Sequence, residues 1–325
     1  MKKVAIVAPS KGLGVLFQDL KEIGYRNLRK YCNVDVIEYE SACMSIEDVY
    51  SNPKKRAEDI TNAFLNDDVI GIISLIGGND SIRILEHLDI ESIKKENKWI
   101  MGYSDATHYL NYLASNNVKA YYGTSLLAGI VQMHNMGEAF QKHLSDFING
   151  KKIVYNQYEF YANAYIPWET KNYLGELSEK LKPRTIQVLQ GTGIVTGELW
   201  GGCMESIEQM KSTKYFPSSF SSKIIIFENS EECTGIDQIR RILRNYGYAG
   251  IYSQAKAIMF GIPLSFSEKQ HKEFKEVIKE IIILEFNSDI PIVINLPIGH
   301  TEPVWILPLN KKMKINLSNF QIGDV

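Results

Sequence analysis

Three polar side chains at the ends of predicted strands could together carry out acyl transfer. Ser81, Glu228 and His300 each follow an apolar run, and they occur along the chain in that order. A serine hydroxyl can attack a carbonyl carbon, a histidine can take up its proton, and a carboxylate can orient that histidine and stabilise its charged form. The order serine, glutamate, histidine is that of one class of hydrolase triads, although geometry rather than order defines a triad.

The candidate nucleophile lies in a turn between a predicted strand and a predicted helix. The segment 77–81, with the sequence Gly-Gly-Asn-Asp-Ser, separates the apolar run 69–76 from the helical sequence that begins at Ile82. Such a turn displays its residues at the carboxyl edge of a parallel sheet, where α/β proteins bind ligands. The structural alternative is a helix cap, because Asp80 and Ser81 are favoured N-cap types. The segment also departs from the G-x-S-x-G pattern of hydrolases.

The carboxylate and the histidine have structural alternatives as well. Glu228 ends the apolar run 223–227, and it is either a carboxylate at a sheet edge or a loop residue that faces water. His300 lies in a loop between Gly299 and Pro303. A histidine there is well placed as a general base, or is simply bonded to the backbone. The other five histidines fall in helical runs, ahead of the linker or on a solvated helix face, so His300 is the best candidate base.

The composition excludes several classes of protein. The chain has 325 residues, with 36 basic and 38 acidic side chains, so no basic surface for nucleic acid or a membrane is expected. A hydrophobic content of 45% is that of a globular protein. Four widely spaced cysteines form neither a metal site nor a disulfide framework, and no metal or other cofactor is expected. The N-terminal apolar run 4–8 is too short for a secretory signal, which predicts a cytoplasmic protein.

The elements that must position these residues alternate in the first half of the chain. Strands are predicted at 4–8, 34–37, 69–76, 99–101 and 120–122, with helices between them. The near-continuous apolar run 69–76 is typical of a parallel strand that is buried on both faces. The alternation predicts an α/β fold in which helices cover both faces of a parallel sheet.

A second α/β pattern follows an irregular stretch that is rich in tyrosine and proline. Strands are predicted at 186–189, 194–199, 224–227, 257–260, 292–295, 304–307 and 313–317, and helices at 205–211, 236–246 and 268–285. We therefore predict an N-terminal domain at 1–154, a linker at 155–185 and a C-terminal domain at 186–325.

Seven short motifs make the chain resemble the LD-carboxypeptidase family of serine peptidases. Within that family it is most similar to the branch of the microcin C self-immunity protein. The motifs are Val4-Ala5-Ile6-Val7-Ala8-Pro9-Ser10, Ile76-Gly77-Gly78-Asn79-Asp80-Ser81, Gly102-Tyr103-Ser104-Asp105-Ala106-Thr107, Tyr122-Gly123, Thr196-Gly197-Glu198-Leu199-Trp200-Gly201-Gly202, Phe227-Glu228 and Gly299-His300-Thr301-Glu302-Pro303-Val304.

The resemblance implies both a fold and a catalytic triad. It implies that an N-terminal α/β domain carries Ser81 as the nucleophile. A C-terminal domain would then carry Glu228 and His300, with the active site in the cleft between the two domains. It further implies a homodimer. The substrate would be either a muropeptide, cut at an L,D-bond, or a peptidyl or aminoacyl nucleotide of the microcin C type. Cys203 and Ile82 depart from the family pattern and leave that choice open.

The predicted mechanism passes through an acyl-enzyme. His300 takes the proton of Ser81, Glu228 orients His300, and the backbone N–H groups of Gly78 and Ile82 stabilise the oxyanion. Arg83 and Trp200 are candidate substrate contacts, each with a structural alternative at the surface or at a domain junction. Ser104 and Asp105 are interpreted as a helix cap.

A function from another class is a non-catalytic module that binds a nucleotide or a sugar. Gly12-Leu13-Gly14 after the first predicted strand matches half of a dinucleotide-binding fingerprint. The third glycine of that fingerprint is absent, because Phe17 occupies its position.

Overall fold

The chain divides into two compact units. The computed structural model describes residues 2–170, 174–233 and 235–325. The first unit comprises Met1–Val154, Tyr165–Glu179 and Glu302–Asn310. The second unit comprises Tyr155–Ala164, Lys180–Thr301 and Lys311–Val325. The predicted linker at 155–185 is thus shared between the units, and its residues 171–173 lie outside the described residues.

The strands, in chain order, are β1 Lys2–Val7, β2 Val34–Glu38, β3 Val69–Ser74, β4 Trp99–Gly102, β5 Lys119–Tyr122, β6 Tyr161–Ala162, β7 Lys180–Leu181, β8 Gln187–Gln190, β9 Ile194–Cys203, β10 Lys223–Glu228, β11 Ala257–Gly261, β12 Ile292–Leu296, β13 Leu307–Pro308, β14 Lys312–Asn316 and β15 Gln321–Asp324. The α-helices are α1 Gln18–Asn27, α2 Ile46–Ser51, α3 Pro53–Leu65, α4 Ile90–Ile93, α5 Thr107–Ser115, α6 Gly137–Ile148, α7 Met204–Met210, α8 Ile236–Tyr248, α9 Ile251–Gln254 and α10 Glu268–Ile278. Short 3-10 and π-helical turns extend or connect several of them.

The first unit is built on a mainly parallel sheet. Among the described residues its strand order is β13-β5-β4-β3-β1-β2, and β1 to β5 run parallel. Nearly all of β3 is buried, as expected for a central strand with helices on both faces. The edge strand β13 pairs antiparallel with β5, although the sequence pattern assigns its residues to the C-terminal domain.

The second unit has its own sheet, with the order β15-β14-β9-β10-β11-β12-β8. The four central strands β9 to β12 run parallel, and β8, β14 and β15 are antiparallel to their neighbours. The apolar face of α8 packs on this sheet, where Tyr246 stacks on Phe227 with ring centroids 4.6 Å apart. The predicted α/β fold, with a parallel sheet in the N-terminal part and a second sheet in the C-terminal part, is confirmed.

Most predicted elements are present within a few residues of their expected bounds, and the differences have local causes. The helix expected near Ser104 becomes α-helical only at Thr107, because Ser104 has a φ of +61°. The long helix expected at 268–285 is α-helical only through Ile278 and continues as a π-helix. Within the described residues, no helix combines the length and the apolar character needed to cross a membrane.

Candidate active site

Three loops of the first unit meet at the carboxyl edge of its sheet. They follow the neighbouring parallel strands β1, β3 and β4. A Cβ atom on Gly77 would lie 2.8 Å from the Cβ of Ser104, and one on Gly78 would overlap the hydroxyl of Ser10. The two glycines therefore allow the loop after β3 to pass close to both neighbouring loops.

Ser81, the predicted nucleophile, is fully buried in this unit. It opens the 3-10 helix Ser81–His87. Its hydroxyl donates to the carbonyl oxygen of Asp105 at 2.7 Å, and it lies 3.0 Å from Nδ1 of His108. To attack a substrate, Ser81 would have to break both contacts and leave the interior. Ile82 and Arg83 follow in the same helix, and Arg83 is bonded to Asp80 and to the carbonyl oxygen of Tyr50.

Ser104 has the backbone geometry of a sharp strand-to-helix turn. It follows β4, is half-buried, and adopts a φ of +61°, which strains any residue other than glycine. Its N–H donates to the hydroxyl of Tyr122 at 2.9 Å, and its carbonyl accepts from the hydroxyl of Thr107 at 2.7 Å. These bonds hold the turn in place.

The sequence carries a signal for this turn that the helix-cap interpretation of Ser104 misses. Residues 102–106 read Gly-Tyr-Ser-Asp-Ala, which places small residues two positions before and two positions after the serine. The nucleophile elbow of α/β hydrolases has the same spacing, because a bulky side chain at either position would obstruct the turn. In the structure a Cβ atom on Gly102 would lie 2.9 Å from that of Ala106.

Asp105, the next residue, has a buried carboxylate with several hydrogen-bond donors. It accepts from the N–H of Ser81 at 2.7 Å, from the N–H of Asp80 at 3.0 Å and from the hydroxyl of Ser10. Burial acts to raise the pKa of Asp105, but the hydrogen bond and charge of His108, together with the Ser10 and Ser81 donors, hold it at about 2. Asp105 is therefore ionised throughout the neutral range.

Glu228 and His300 meet at the carboxyl edge of the second unit's sheet. Glu228 is the last residue of β10, and His300 follows β12, two strands away. Oε2 of Glu228 lies 2.7 Å from Nδ1 of His300, and both side chains are buried. A Cβ atom on Gly299, whose φ is +96°, would overlap the Glu228 carboxylate. The glycine therefore permits the loop to bring His300 to Glu228.

The charges around His300 favour its protonated form. Burial acts to lower the pKa of His300, but the charge of Glu228 and the hydrogen bond to it, reinforced by Glu231 and Glu205, raise that pKa above its usual value. Because Nδ1 faces Glu228, the other ring nitrogen, Nε2, is the one that can exchange a proton with a reacting group.

Two further residues of the second unit that the sequence analysis names, Trp200 and Cys203, are both buried. Trp200 is buried and packs edge-on against Phe216 and Phe220. Cys203 is buried, and burial raises the pKa of its thiol well above the usual value, so it is not a reactive thiolate. In the described part of the chain, no group of three His, Cys, Asp or Glu side chains could hold a metal ion.

The half fingerprint for dinucleotide binding also has a structural explanation in the first unit. A Cβ atom on Gly12 would overlap the carbonyl oxygen of Ser45, and one on Gly14 would overlap that of Ala42. Close packing of the backbone therefore accounts for both glycines.

Comparisons with known proteins assign both halves of the chain to one family. Residues 4–123 match the model of the LD-carboxypeptidase N-terminal domain, and residues 196–315 match that of the LD-carboxypeptidase C-terminal domain. Among curated relatives, the microcin C7 self-immunity protein MccF of Escherichia coli is 25% identical over 275 residues, which cover 83% of this chain and 78% of that protein.

Solved structures with the same fold include complexes with AMP and with aspartyl sulfamoyl adenosine. An MccF-like protein from Streptococcus pneumoniae in complex with AMP has a TM-score of 0.87 and 25% sequence identity, over 99% of this chain and 98% of that chain. MccF in complex with aspartyl sulfamoyl adenosine has a TM-score of 0.82 and 20% identity, over 100% of this chain and 96% of that chain.

Proposed function

Because this chain belongs to the LD-carboxypeptidase family, we propose that it is a serine peptidase that hydrolyses an amide bond through an acyl-enzyme, with Ser104 as its nucleophile. The observation that carries the proposal is the strained turn at Ser104, at the end of β4 and against Gly77. Strain of this kind in a strand-to-helix turn is characteristic of a nucleophile whose hydroxyl must project from the sheet edge. Ser81, by contrast, has its hydroxyl bonded inside the unit.

The proposed proton transfers use His300 and Glu228. Nε2 of His300 takes the proton of Ser104 as Oγ bonds to the carbonyl carbon, and Glu228 keeps Nδ1 protonated and offsets the charge that forms. When the C–N bond breaks, His300 returns the proton to the leaving amine. A water molecule then attacks the ester in the same way and regenerates Ser104.

The proposed oxyanion hole combines two backbone N–H groups of the first unit. One belongs to Asp105, because the residue after the nucleophile supplies a donor in this kind of turn. The other belongs to Gly78, in the loop that passes beside Ser104. Ile82, the donor predicted together with Ser81, lies in the following 3-10 helix and is not part of this proposal.

The proposed substrates are small peptide conjugates of nucleotides. Two structural relatives hold AMP or aspartyl sulfamoyl adenosine, which favours a peptidyl or aminoacyl nucleotide over a muropeptide. Release of sulfamoyl adenosine from an aminoacyl conjugate, measured beside release of D-alanine from a tetrapeptide, would choose between them. The homodimer and the cytoplasmic location stay predictions, to be tested by light scattering and by cell fractionation.

The nucleophile is tested by labelling with a fluorophosphonate and by two matched serine variants. We expect mass spectrometry to locate the label on Ser104, and Ser104→Ala to lose both labelling and turnover. Ser81→Ala should keep measurable turnover and the label on Ser104. A label on Ser81 would instead support the nucleophile predicted from the sequence. If Ser104→Ala still hydrolyses every substrate at the wild-type rate, Ser104 is not the nucleophile. If both alanine variants do so, the serine peptidase proposal fails.

A further inference from the structure

We propose that Asp105, His108 and Ser81 position the oxyanion hole, because their buried hydrogen bonds fix the loop after β3 against the turn that carries Ser104. This inference rests on the proposed function and gives Ser81 a role other than that of nucleophile. In it, the three residues are positioning residues that act through the backbone donors of Gly78 and Asp105.

The Asp105 carboxylate accepts hydrogen bonds from two separate chain segments and lies beside a third. Its donors are the hydroxyl of Ser10 after β1 and the N–H groups of Asp80 and Ser81 after β3, and its Oδ1 lies 3.0 Å from Nδ1 of His108 in α5. A buried carboxylate requires such donors, since its charge has lost the hydration of bulk water. The carboxylate therefore holds the loops after β1 and β3 close to its own backbone.

His108 closes this network from the helix that follows the turn. It lies one helical turn after Ser104 and is fully buried. Its Nδ1 is 3.0 Å from Oγ of Ser81 and 3.0 Å from Oδ1 of Asp105. The Ser81 hydroxyl in turn donates to the carbonyl oxygen of Asp105 at 2.7 Å. Ser81 is thus joined to both the backbone and the side chain of the turn.

A buried cation binds the same two loops. Arg56 lies in α3 and is fully buried. Its guanidinium donates to the carboxylate of Asp80 at 2.7 Å and to the carbonyl oxygen of Pro9 at 2.9 Å. The loops after β1 and β3 are therefore both bound by Asp105 and by Arg56.

This placement matters because the two proposed oxyanion donors lie on the segments that the network joins. Gly78 lies two residues before Asp80 and three before Ser81, whose N–H groups bind the Asp105 carboxylate. The other proposed donor is the N–H of Asp105 itself. A displacement of about 1 Å in such a site lowers a rate by about 10²-fold. Loss of the network should therefore weaken stabilisation of the oxyanion more than it weakens binding of the ground-state substrate.

The test compares His108→Leu and His108→Asn. An asparagine amide nitrogen can replace Nδ1 as the partner of the Ser81 hydroxyl, whereas leucine cannot. We expect His108→Leu to lower kcat by about 10- to 100-fold with KM within about threefold of wild type. Its affinity for a peptide boronate, which forms a tetrahedral adduct in the oxyanion hole, should fall in parallel with kcat. His108→Asn should recover most of both.

Ser81→Ala is the second variant, and its kcat should also fall by about 10-fold without a change in KM. The stability control is Asn27→Ala, which removes buried hydrogen bonds to the carbonyls of Ile130 and Val131 and should leave kcat unchanged. Wild-type kcat and boronate affinity in folded His108→Leu or Ser81→Ala would overturn the inference, as would a change in KM alone. If Ser104→Ala is inactive in the same assays, that result leaves the proposed function standing.

Discussion

The carboxyl edges of the two sheets hold their polar residues in different ways. In the first unit, Asp105 and Arg56 bind loops that follow separate strands, through hydrogen bonds to backbone groups and to the Asp80 carboxylate. In the second unit, the main feature is one side-chain pair, Glu228 and His300, which a glycine allows to approach. A network like that at the first edge can keep backbone hydrogen-bond donors in a fixed position. A pair like that at the second edge can support proton transfer.

The difference bears on how each edge responds to substitution. Loss of one member of a shared network leaves other hydrogen bonds to hold the loops. In the proposed mechanism, loss of His300 removes the proton acceptor, and loss of Glu228 removes the group that orients it. We therefore expect substitutions at the second edge to have larger effects on turnover than substitutions of the positioning residues at the first.

The largest effect at the second edge should come from His300→Gln, which removes the proposed base. We expect kcat/KM to fall on the order of 10⁵-fold or more, because triad members act as a unit. Steady-state kinetics on the preferred substrate measures this. His87→Gln, a substitution of the same type on the surface of the first unit, is the control and should keep wild-type activity. If His300→Gln retains a tenth of the wild-type activity, the pair of Glu228 and His300 is not part of the mechanism.

Glu228→Gln should lower kcat/KM by about 10³- to 10⁴-fold, since an amide cannot keep Nδ1 protonated. The wild-type kcat/KM should rise as the pH passes through the pKa of His300, which lies above the usual histidine value, because the neutral imidazole is the base. The variant should shift that rise to lower pH, since it loses the charge that favours the protonated form. Glu232→Gln, in the exposed loop after β10, should leave the pH profile in place. An unchanged profile in Glu228→Gln would contradict the pairing in solution.

Gly299→Ala should lower turnover by about 10²-fold, because a methyl group there overlaps the Glu228 carboxylate and the φ of +96° is unfavourable. Circular dichroism should show that the rest of the second unit remains folded. Gly323→Ala in β15, where no atom lies within 4 Å of the new Cβ, is the matched control. Equal kinetics in the two variants would show that the loop adapts without displacing His300.

The smallest effect concerns stability, and it has opposite pH dependence at the two edges. The lowered pKa of Asp105 stabilises the fold above pH 4, and this contribution, about 2 kcal/mol, is lost as the pH falls toward 2. The raised pKa of His300 stabilises the fold at acidic pH, and this contribution is lost as the pH rises through that pKa. The thermal unfolding midpoint of Asp105→Asn should approach that of the wild type at low pH. The midpoint of His300→Gln should approach that of the wild type at high pH. If both differences from the wild-type midpoint stay constant with pH, neither pKa shift is linked to folding.

Much of the fold could be predicted from the sequence, because buried parallel strands are continuous apolar runs. The same reasoning placed Glu228 and His300 at strand ends, and the structure joins them by a hydrogen bond. Their catalytic role stays a prediction.

The two serines show where sequence reasoning is weaker. Ser81 and Ser104 both lie between a strand and a helix, and both are common cap residues. In the sequence they differ only in the small residues Gly102 and Ala106 that flank Ser104, and the tertiary structure makes the distinction clear. Burial turns one hydroxyl toward Asp105, and a φ of +61° sets the other in a strained turn. The return of residues 302–310 to the first sheet is equally hidden from local pattern, since β13 has only two residues.

The position of β13 has a consequence for synthesis on the ribosome. The first unit needs residues 307–308 to complete the edge of its sheet beside β5. When these residues are made, the whole segment from Lys180 to Thr301 has already been translated. The nascent first unit therefore exposes β5 as an unpaired edge during most of translation, and such edges favour pairing with other chains. A fragment that ends at residue 154 would keep this edge open permanently, so the first unit should be prone to aggregate when it is expressed without the rest of the chain.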